Sequence, residues 1–526
     1  MPDDPAIGDS GEAGGLDRQA AARREPSPGG PRLNRRQFLA GAAVGAAALG
    51  IGSVAGYWAA EGFRVSAPAA GATPAPSSPS GLVRGYRSRP DLSSPVVSVT
   101  TPRLQAAPGL VMLTPHNGPA LAVDNYGSPI WIHPTPGKLA FNLRQGTYKG
   151  APVLSWFEGA VTQGVGQGEY VLVDQSYREV ARVRAGNGLQ GDLHEFIITP
   201  EGTALFTAYR QRPWPGATPG PSPTAAGILE SLIQEVDIAS GRVLFEWHST
   251  DHVNPYESYL TAPTAQPFDY FHINSIDVDR DGDLLISARH TWAVYKIDRR
   301  SGEVIWRLGG KRSDFAMGPG AGFAWQHDAR RQADGSITLF DDGSNGSKPP
   351  TEAQSRGLVL EVEESTRGAN LRKAYSHASP LSAGSQGSMQ ILPNGNVLVG
   401  WGDQPYYTEY TAGGDVVLDA RLPDNTFSYR AHRAEWHGRP AEQPAIALEA
   451  AGGDAMTVYA SWNGATEVAV WVVLGGDTTA ELAPLGSRPW AGFETAIVVP
   501  GRPALLAVRA LDGSGAALTQ SAPIET

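Results

Sequence analysis

Residues 271–310 read FHINSIDVDRDGDLLISARHTWAVYKIDRRSGEVIWRLGG. The stretch predicts four short strands, at 274–278, 284–289, 293–297 and 303–308. Each run is rich in Val, Ile, Leu and aromatics, and Asp/Gly turns at 279–282 and 298–302 divide them. Four antiparallel strands in about forty residues are the content of one β-propeller blade. A single sheet of this kind cannot bury both its faces, so the unit has to recur.

It does recur. The last element of the unit is a turn followed by an apolar-aromatic run. It stands at 127–132 (GSPIWI), 177–183 (YREVARV), 240–247 (SGRVLFEW), 301–306 (SGEVIW), 368–375 (GANLRKAY) and 414–420 (GDVVLDA). Six copies predict a six-bladed propeller over 105–436. Asp124, Asp174, Asp237 and Asp298 open the preceding turns, where an Asp side chain accepts backbone N–H groups. We read them as turn caps. Asp277, Asp279 and Asp281 imitate a calcium loop, but Ala288 stands where an EF-hand needs its twelfth-position Glu, so a hairpin turn is expected. Loops at 213–225, 314–324 and 344–355 are expected to rim one face of the disc.

After 429–436 the pattern changes. Strand candidates at 445–450, 456–462, 467–474, 493–498 and 504–510, with turns at Asn463-Gly464 and Asp512-Gly513, predict a small β-sandwich of immunoglobulin or fibronectin type. The fold class expected is therefore all-β, a propeller followed by a sandwich at 437–526.

Composition narrows the functional classes. The net charge is −11 and no basic tract follows the first forty residues, which argues against nucleic-acid binding. The 63 Gly and 42 Pro suit a turn-dense chain. With no Cys, disulfides, thiolate metal sites and cysteine nucleophiles are excluded.

The N-terminus reads as an address. Residues 1–33 are polar and rich in Pro, Gly and Ala, as disordered segments are. Asn34-Arg35-Arg36-Gln37-Phe38-Leu39-Ala40 and the uncharged run to Ala60 resemble a twin-arginine export signal. The run 38–60 is also long enough to span a bilayer at about 1.5 Å per residue, so 34–62 is a signal or a membrane anchor. A linker and entry segment at 63–104 follows. The body is expected outside the cytoplasmic membrane, secreted or anchored, with the twin-arginine machinery as a partner.

Three histidines fall in register. His194 lies eight residues before Gly202 and His327 eight before Gly335. His272 lies ten before Gly282, in a hairpin two residues longer; the matching place in the next unit is Gly387. A propeller's first strand lines its central channel, so these imidazoles should converge at the channel mouth, as nucleophile, acid/base or metal ligands. The alternatives are a structural role between blades and a three-histidine metal site with an open coordination position.

At these residues the chain resembles the bacterial arylsulfotransferases, in the divergent branch common in actinobacteria and fungi. The resemblance rests on His272-Ile273-Asn274-Ser275-Ile276, Ile286-Ser287-Ala288-Arg289-His290, Val304-Ile305-Trp306-Arg307-Leu308-Gly309-Gly310, Trp325-Gln326-His327-Asp328-Ala329, Leu339-Phe340-Asp341-Asp342-Gly343 and Gln390-Ile391-Leu392-Pro393-Asn394-Gly395-Asn396. It implies sulfuryl transfer from a phenolic sulfate ester to a phenol, through a sulfated histidine and without a cofactor. His272 and His327 match active-site histidines of the family, and Arg289 is a candidate sulfate ligand. His194, Asn274 and Arg356 are candidate substrate-binding residues. The family's sulfated histidine lies in a later blade, where this chain offers only His377 in 376–402. His377 or one of the aligned histidines therefore takes that role, or transfer is lost; His432 is a further candidate. The alternative reading is a non-catalytic exported propeller that binds a ligand or protein partner. A quinoprotein-like dehydrogenase would need a Trp-rich repeat in each blade, which is absent.

Overall fold

The stretch 271–310 folds as four antiparallel strands, Ile273–Val278, Leu284–Ala288, Ala293–Ile297 and Val304–Gly309, paired in chain order. Gly282, at φ 89°, closes the first hairpin with its N–H on the Asp279 carbonyl. The acidic turn is neutralised by cations of the fold. Lys296 pairs with Asp279 and Asp281, and Arg331 donates to Asp279 at 3.0 Å. Arg289 leaves the predicted second strand because its N–H turns to the His272 carbonyl.

The computed structural model describes residues 82–101, 105–214, 227–263 and 266–526. The expected segments 1–33 and 34–62, with the first part of the linker and most of the insertion at 213–225, lie outside the described residues. Among the described residues, no helix is long and apolar enough to cross a membrane.

The four-stranded meander recurs along the chain. Leu139–Tyr148, Ala151–Thr162, Val165–Val173 and Glu179–Val183 form one. Gly191–Ile198, Thr203–Pro213, Gly227–Asp237 and Val243–His248 form the next, joined to it at the Gly191–Gly168 pair. His327–Arg331, Ile337–Asp341, Arg356–Glu363 and Gly368–Tyr375 follow the 271–310 unit. Then come Ser388–Ile391, Val397–Gly400, Tyr406–Tyr410 and Val416–Arg421. The remaining sheet joins the two ends of this region. Ser428–Ala434 pairs with Leu110–Pro115, which continues into Ala120–Val123 and Pro129–His133. The first strands of the units, with Ser428–Ala434, touch one another in turn and close a ring.

Alternation holds the sheets together. Within Leu284–Ala288, Leu284 and Ile286 pack with Trp247, Phe271 and Tyr295 on one face. Leu285 packs with Trp306, Leu339 and Leu358 on the other. Each fully buried side chain of this size contributes about 1.5–3 kcal/mol. The turn carboxylates act as read: Asp124, Asp174, Asp237 and Asp298 accept backbone N–H groups two to four residues on.

The C-terminal region forms two sheets. One holds Ala445–Ala450, Met456–Ser461 and Glu494–Val499. The other is built on Val470–Gly476 and Leu505–Leu511. Val458, Trp471, Val473, Ile497 and Val508 share one core. The sequence reading missed Ala483–Pro489, whose Pro and Gly residues suit an edge strand, and the short Ala517–Gln520 and Ile524–Glu525. The Asn463-Gly464 turn docks on the neighbouring Pro129–His133 strand, exchanging hydrogen bonds with Ile132 at 2.9 Å.

Candidate active site

The ring-forming strands are irregular where they approach the axis. Register breaks between Phe141 and Arg144, Gly191 and Phe196, Ile273 and Ser275, His327 and Arg330, and Ser428 and Ala431. Such bulges re-aim side chains. Here they turn His194, His272 and His327 toward one cavity of about 510 Å³. Asp269, Arg289, His290, Gln386, Asp403, Phe427 and Tyr429 also line it. His272 sits at φ 59°, left-handed for a residue with a Cβ, and is pinned there by the Arg289 N–H on its carbonyl. Gly387 fills the matching place in the next unit. A Cβ there would lie 2.3 Å from the Phe340 ring, so no histidine fits.

Each imidazole has its Nδ1 held. His327 Nδ1 donates to Asp342 Oδ2 at 2.8 Å and His290 Nδ1 donates to the Asp269 carbonyl at 2.6 Å. His272 Nδ1 lies 2.6 Å from Asp269 Oδ2, and His194 Nδ1 lies 2.6 Å from Asp192 Oδ2. The Gln386 backbone N–H donates to His327 Nε2 at 3.2 Å. A backbone amide can only donate, so this nitrogen keeps its lone pair and the ring proton is on Nδ1. Arg289 Nη1 fixes His290 in the same tautomer, donating to Nε2 at 2.9 Å.

Burial sets the charge states. It pushes His327 well below the usual imidazole range, and Arg289 adds to the effect. Burial takes His290 down to about 3, against the pull of Asp269. For Asp269 burial would raise the carboxyl, but His272 and His290 outweigh it and hold the group at about 2. Burial raises Asp342 well above the carboxylate range, and raises Asp403 beside it in the cavity.

Arg289 donates through Nη2 to the Gly384 carbonyl at 2.6 Å, and its guanidinium carbon stands 5.2 Å from the Trp325 ring centre. Its Nε is buried without a partner. Among the described residues it makes no contact ion pair; Asp342, Asp269 and Asp403 act on it only from a distance, so its cation faces the cavity without a carboxylate in contact.

Asp269, His272 and His290 bring three donor atoms within 4.8 Å of one another, the spacing of a metal site. Both Nδ1 atoms are spent on oxygens of Asp269, the His290 Nε2 accepts from Arg289, and the His272 Nε2 faces His194. The donor set fits a hydrogen-bonded cluster, since an ion would have to displace these partners.

The other candidates stand elsewhere. His377 lies outside the cavity, against the rings of Tyr406 and Trp401, with its Nε2 3.3 Å from Asp419. It belongs to the connection between two units and packs on the later strands of the second. Arg356 is paired with Asp341 at 2.9 Å and donates to the Gly322 carbonyl; it too lies outside the cavity. Asn274 is fully buried and donates to the Gln326 carbonyl at 2.7 Å, tying neighbouring strands together. His432 stands 3.3 Å from Asn142 Oδ1, in a separate pocket with Arg144 and Arg433. The sequence reading missed Asp192, Asp269 and Asp342, as well as His290 and Asp403. Asp192 and Asp269 stand two and three residues before their histidines, which is the signal that was available.

The family model described as Arylsulfotransferase (ASST) matches residues 145–422, more than half of the chain. The chain belongs to the arylsulfotransferase family. The match includes His194, His272, Arg289, His290, His327 and Asp342 and stops short of the Ser428–Ala434 strand that carries Tyr429. No curated protein matches this arylsulfotransferase-family chain. Solved structures similar to it include a protein of unknown function from Bacteroides caccae, at 14% identity and TM-score 0.39, covering 62% of this chain and 100% of that one. A catalytically inactive virginiamycin B lyase from Staphylococcus aureus, solved with quinupristin, is 10% identical at TM-score 0.30, covering 62% and 92%. The β-propeller domain of Cps50 (Swd1) from Myceliophteria thermophila is 11% identical at TM-score 0.29, covering 63% and 97%. Likeness at this level carries no argument about chemistry.

Proposed function

We propose that this protein is an arylsulfotransferase that moves a sulfuryl group from a phenolic sulfate ester to a phenol through His327. The observation that carries the reading is the His327 ring, whose Nδ1 donates to Asp342 while its Nε2 keeps a lone pair beside an unpaired buried arginine. His327 Nε2 attacks sulfur and the sulfur–aryl oxygen bond breaks. The departing phenolate takes a proton from His272, and the sulfuryl group rests on His327. A second phenol returns its proton to His272 and attacks sulfur, and the nitrogen–sulfur bond breaks. Arg289 holds the equatorial sulfate oxygens, where charge is retained throughout. The Gln386 N–H loses its acceptor once Nε2 is bonded to sulfur and can turn to a sulfuryl oxygen. Phe141, Phe427 and Tyr429, which also line the cavity, suit an aryl ring.

The six meanders and their ring of first strands support a six-bladed propeller closed by Ser428–Ala434. The two C-terminal sheets around Trp471 support a β-sandwich. The Arg35-Arg36 segment supports export by the twin-arginine route, to a secreted or membrane-anchored state. We assign the chain to the actinobacterial and fungal branch on the motifs around His272 and His327.

The test is release of p-nitrophenol from p-nitrophenyl sulfate with phenol as acceptor, together with the intact mass of protein quenched without acceptor. Turnover and a gain of one SO₃ group, both lost in His327→Ala, are expected. No release from a panel of aryl sulfates, or an adduct that persists in His327→Ala, would overturn the assignment.

A further inference from the structure

His194 and His272 come from neighbouring ring strands and face each other through Nε2 at 3.1 Å, with their rings near perpendicular at 82°. What lies between the two nitrogens follows from counting protons. Asp192 accepts three hydrogen bonds besides its contact with the His194 ring. Its Oδ1 takes the Gly166 N–H at 2.5 Å, and its Oδ2 takes the His194 N–H at 2.9 Å and the Thr207 hydroxyl at 2.8 Å. A carboxyl with these donors is ionised, so the His194 Nδ1 at 2.6 Å must be an N–H. Asp269 faces His272 Nδ1 at the same distance and sits beside the N–H of a second imidazole, His290, at 3.8 Å. It too is an acceptor, so the His272 Nδ1 carries a proton.

Both rings therefore have their first proton on Nδ1. If neither had a second, two lone pairs would point at each other at 3.1 Å. If both had one, two N–H bonds would collide. A tetrahedral metal held by both nitrogens at about 2.0 Å would also set them about 3.3 Å apart, but among the described residues no third His or carboxylate joins His194 and His272 in a metal-binding group. A single N–H···N bond fits the spacing.

We infer that His194 and His272 share one proton between their Nε2 atoms, so that Asp192, His194, His272 and Asp269 form a chain with a proton in reserve for the departing phenolate. The acid role rests on the sulfuryl-transfer reading above; the shared proton does not. His272 is the group that meets the leaving oxygen, and His194 is a positioning residue that keeps the proton on it. The groups around the pair suit this. Two carboxylates flank it at the Nδ1 ends. Tyr209 and Tyr429, both kept as phenols by burial, pack on the rings, and Tyr209 donates to the Ile273 carbonyl. His290, neutral, lies 4.8 Å from the His272 ring centre. Arg289 and His327 complete the wall, and Arg289 brings one positive charge. Burial first, and then His272, hold His194 below the usual imidazole range against the pull of Asp192 and Asp269, so the shared proton sits on the His272 side of the bond.

Two measurements test the chain. The first is nitrogen NMR of the full protein labelled at histidine, with signals assigned by their loss in His194→Gln and His272→Gln. One imidazolium shared by the two rings at neutral pH is expected, with His272 neutral in His194→Gln. Two neutral rings with unprotonated Nε2 atoms would overturn the inference whether or not the protein turns over aryl sulfates. The second is leaving-group dependence. His194→Gln keeps an amide N–H for His272 but cannot hold the proton. Its kcat/KM should fall about 10²-fold or more for phenyl sulfate and far less for p-nitrophenyl sulfate, whose phenolate leaves without an acid. Equal losses on both esters would overturn the acid role while leaving sulfuryl transfer itself standing.

Discussion

Asp342 accepts from His327 Nδ1 at 2.8 Å, fifteen residues away in sequence, across the open end of the hairpin that His327–Arg331 makes with Ile337–Asp341. Asp342 therefore chooses which ring nitrogen is the nucleophile. Asp342→Asn can present an amide N–H to Nδ1 instead, which moves the ring proton to Nε2 and removes the lone pair. We expect kcat on p-nitrophenyl sulfate to fall about 10²–10⁴-fold, with little change in KM. An unchanged kcat in a folded variant would show that another nitrogen attacks.

Arg289 is held by two neutral acceptors, the His290 Nε2 and the Gly384 carbonyl, and carries a buried Nε without a partner. This is a cation waiting for an anion. Arg289→Lys keeps the charge but not the planar fork. We expect kcat/KM for aryl sulfates to drop about 10²–10³-fold while the melting temperature moves by only a few degrees. Inhibition by free sulfate should weaken in parallel. If the variant binds sulfate as the parent does, the anion is held elsewhere.

The repeating turn-and-strand signature made the meanders legible, because alternating apolar residues and Asp-capped turns are local properties of the chain. The register of His194 and His327 was legible for a related reason: equal distance from the hairpin Gly means equal height on equivalent strands. The hairpin after His272 lacks the two extra residues expected of it; its turn matches the other two, and His272 stands two residues further out, before a register break between Ile273 and Ser275, yet lines the same cavity. His377 has no such coordinate. It sits in an irregular connection, and only the packing of Tyr406 and Asp419 decides where it goes. The carboxylates were hidden because their partners are spatial. Asp342 stood within a motif that had been singled out, yet nothing in Leu339-Phe340-Asp341-Asp342-Gly343 says that the second Asp turns inward to His327 while the first pairs with Arg356. Gly387 was read only as a missing histidine, although its φ of 101° and the Phe340 ring beneath it make it a fixed part of the site.

Beneath the cavity, Glu195 is fully buried and paired with Arg144 at 2.9 Å, with Arg430 at 3.2 Å and with Arg330. Asp328 shares Arg330 and Arg430. Burial would raise the Glu195 carboxyl, but the three arginines hold it far below its usual range. Glu195→Gln leaves three guanidinium groups around one remaining carboxylate, Asp328. Removing one partner of a buried ion cluster costs about 3–5 kcal/mol, and we expect that loss in urea unfolding at neutral pH. A loss under 1 kcal/mol would mean that water or relaxation compensates the arginines.

His290 makes the fold sensitive to acid. Its ring is buried, with Nδ1–H on the Asp269 carbonyl and Nε2 accepting from Arg289, so no face of it can take a second proton without losing a bond. Burial holds it at about 3 in the folded chain, against an ordinary imidazole value near 6.5. Below pH 6.5 the unfolded chain takes up a proton that the folded chain refuses. The stability this group supplies is thus fully present above 6.5 and drains away as the pH falls toward 3. The slope approaches one proton, about 1.4 kcal/mol per pH unit. His290→Gln retains an acceptor for Arg289 and a donor for Asp269 but cannot titrate. Unfolding free energies measured between pH 6.5 and 4 should therefore fall less steeply for the variant, by about that amount per unit. Parallel curves for parent and variant would show that His290 charges in the folded protein, and that the Arg289 hydrogen bond to it is not kept.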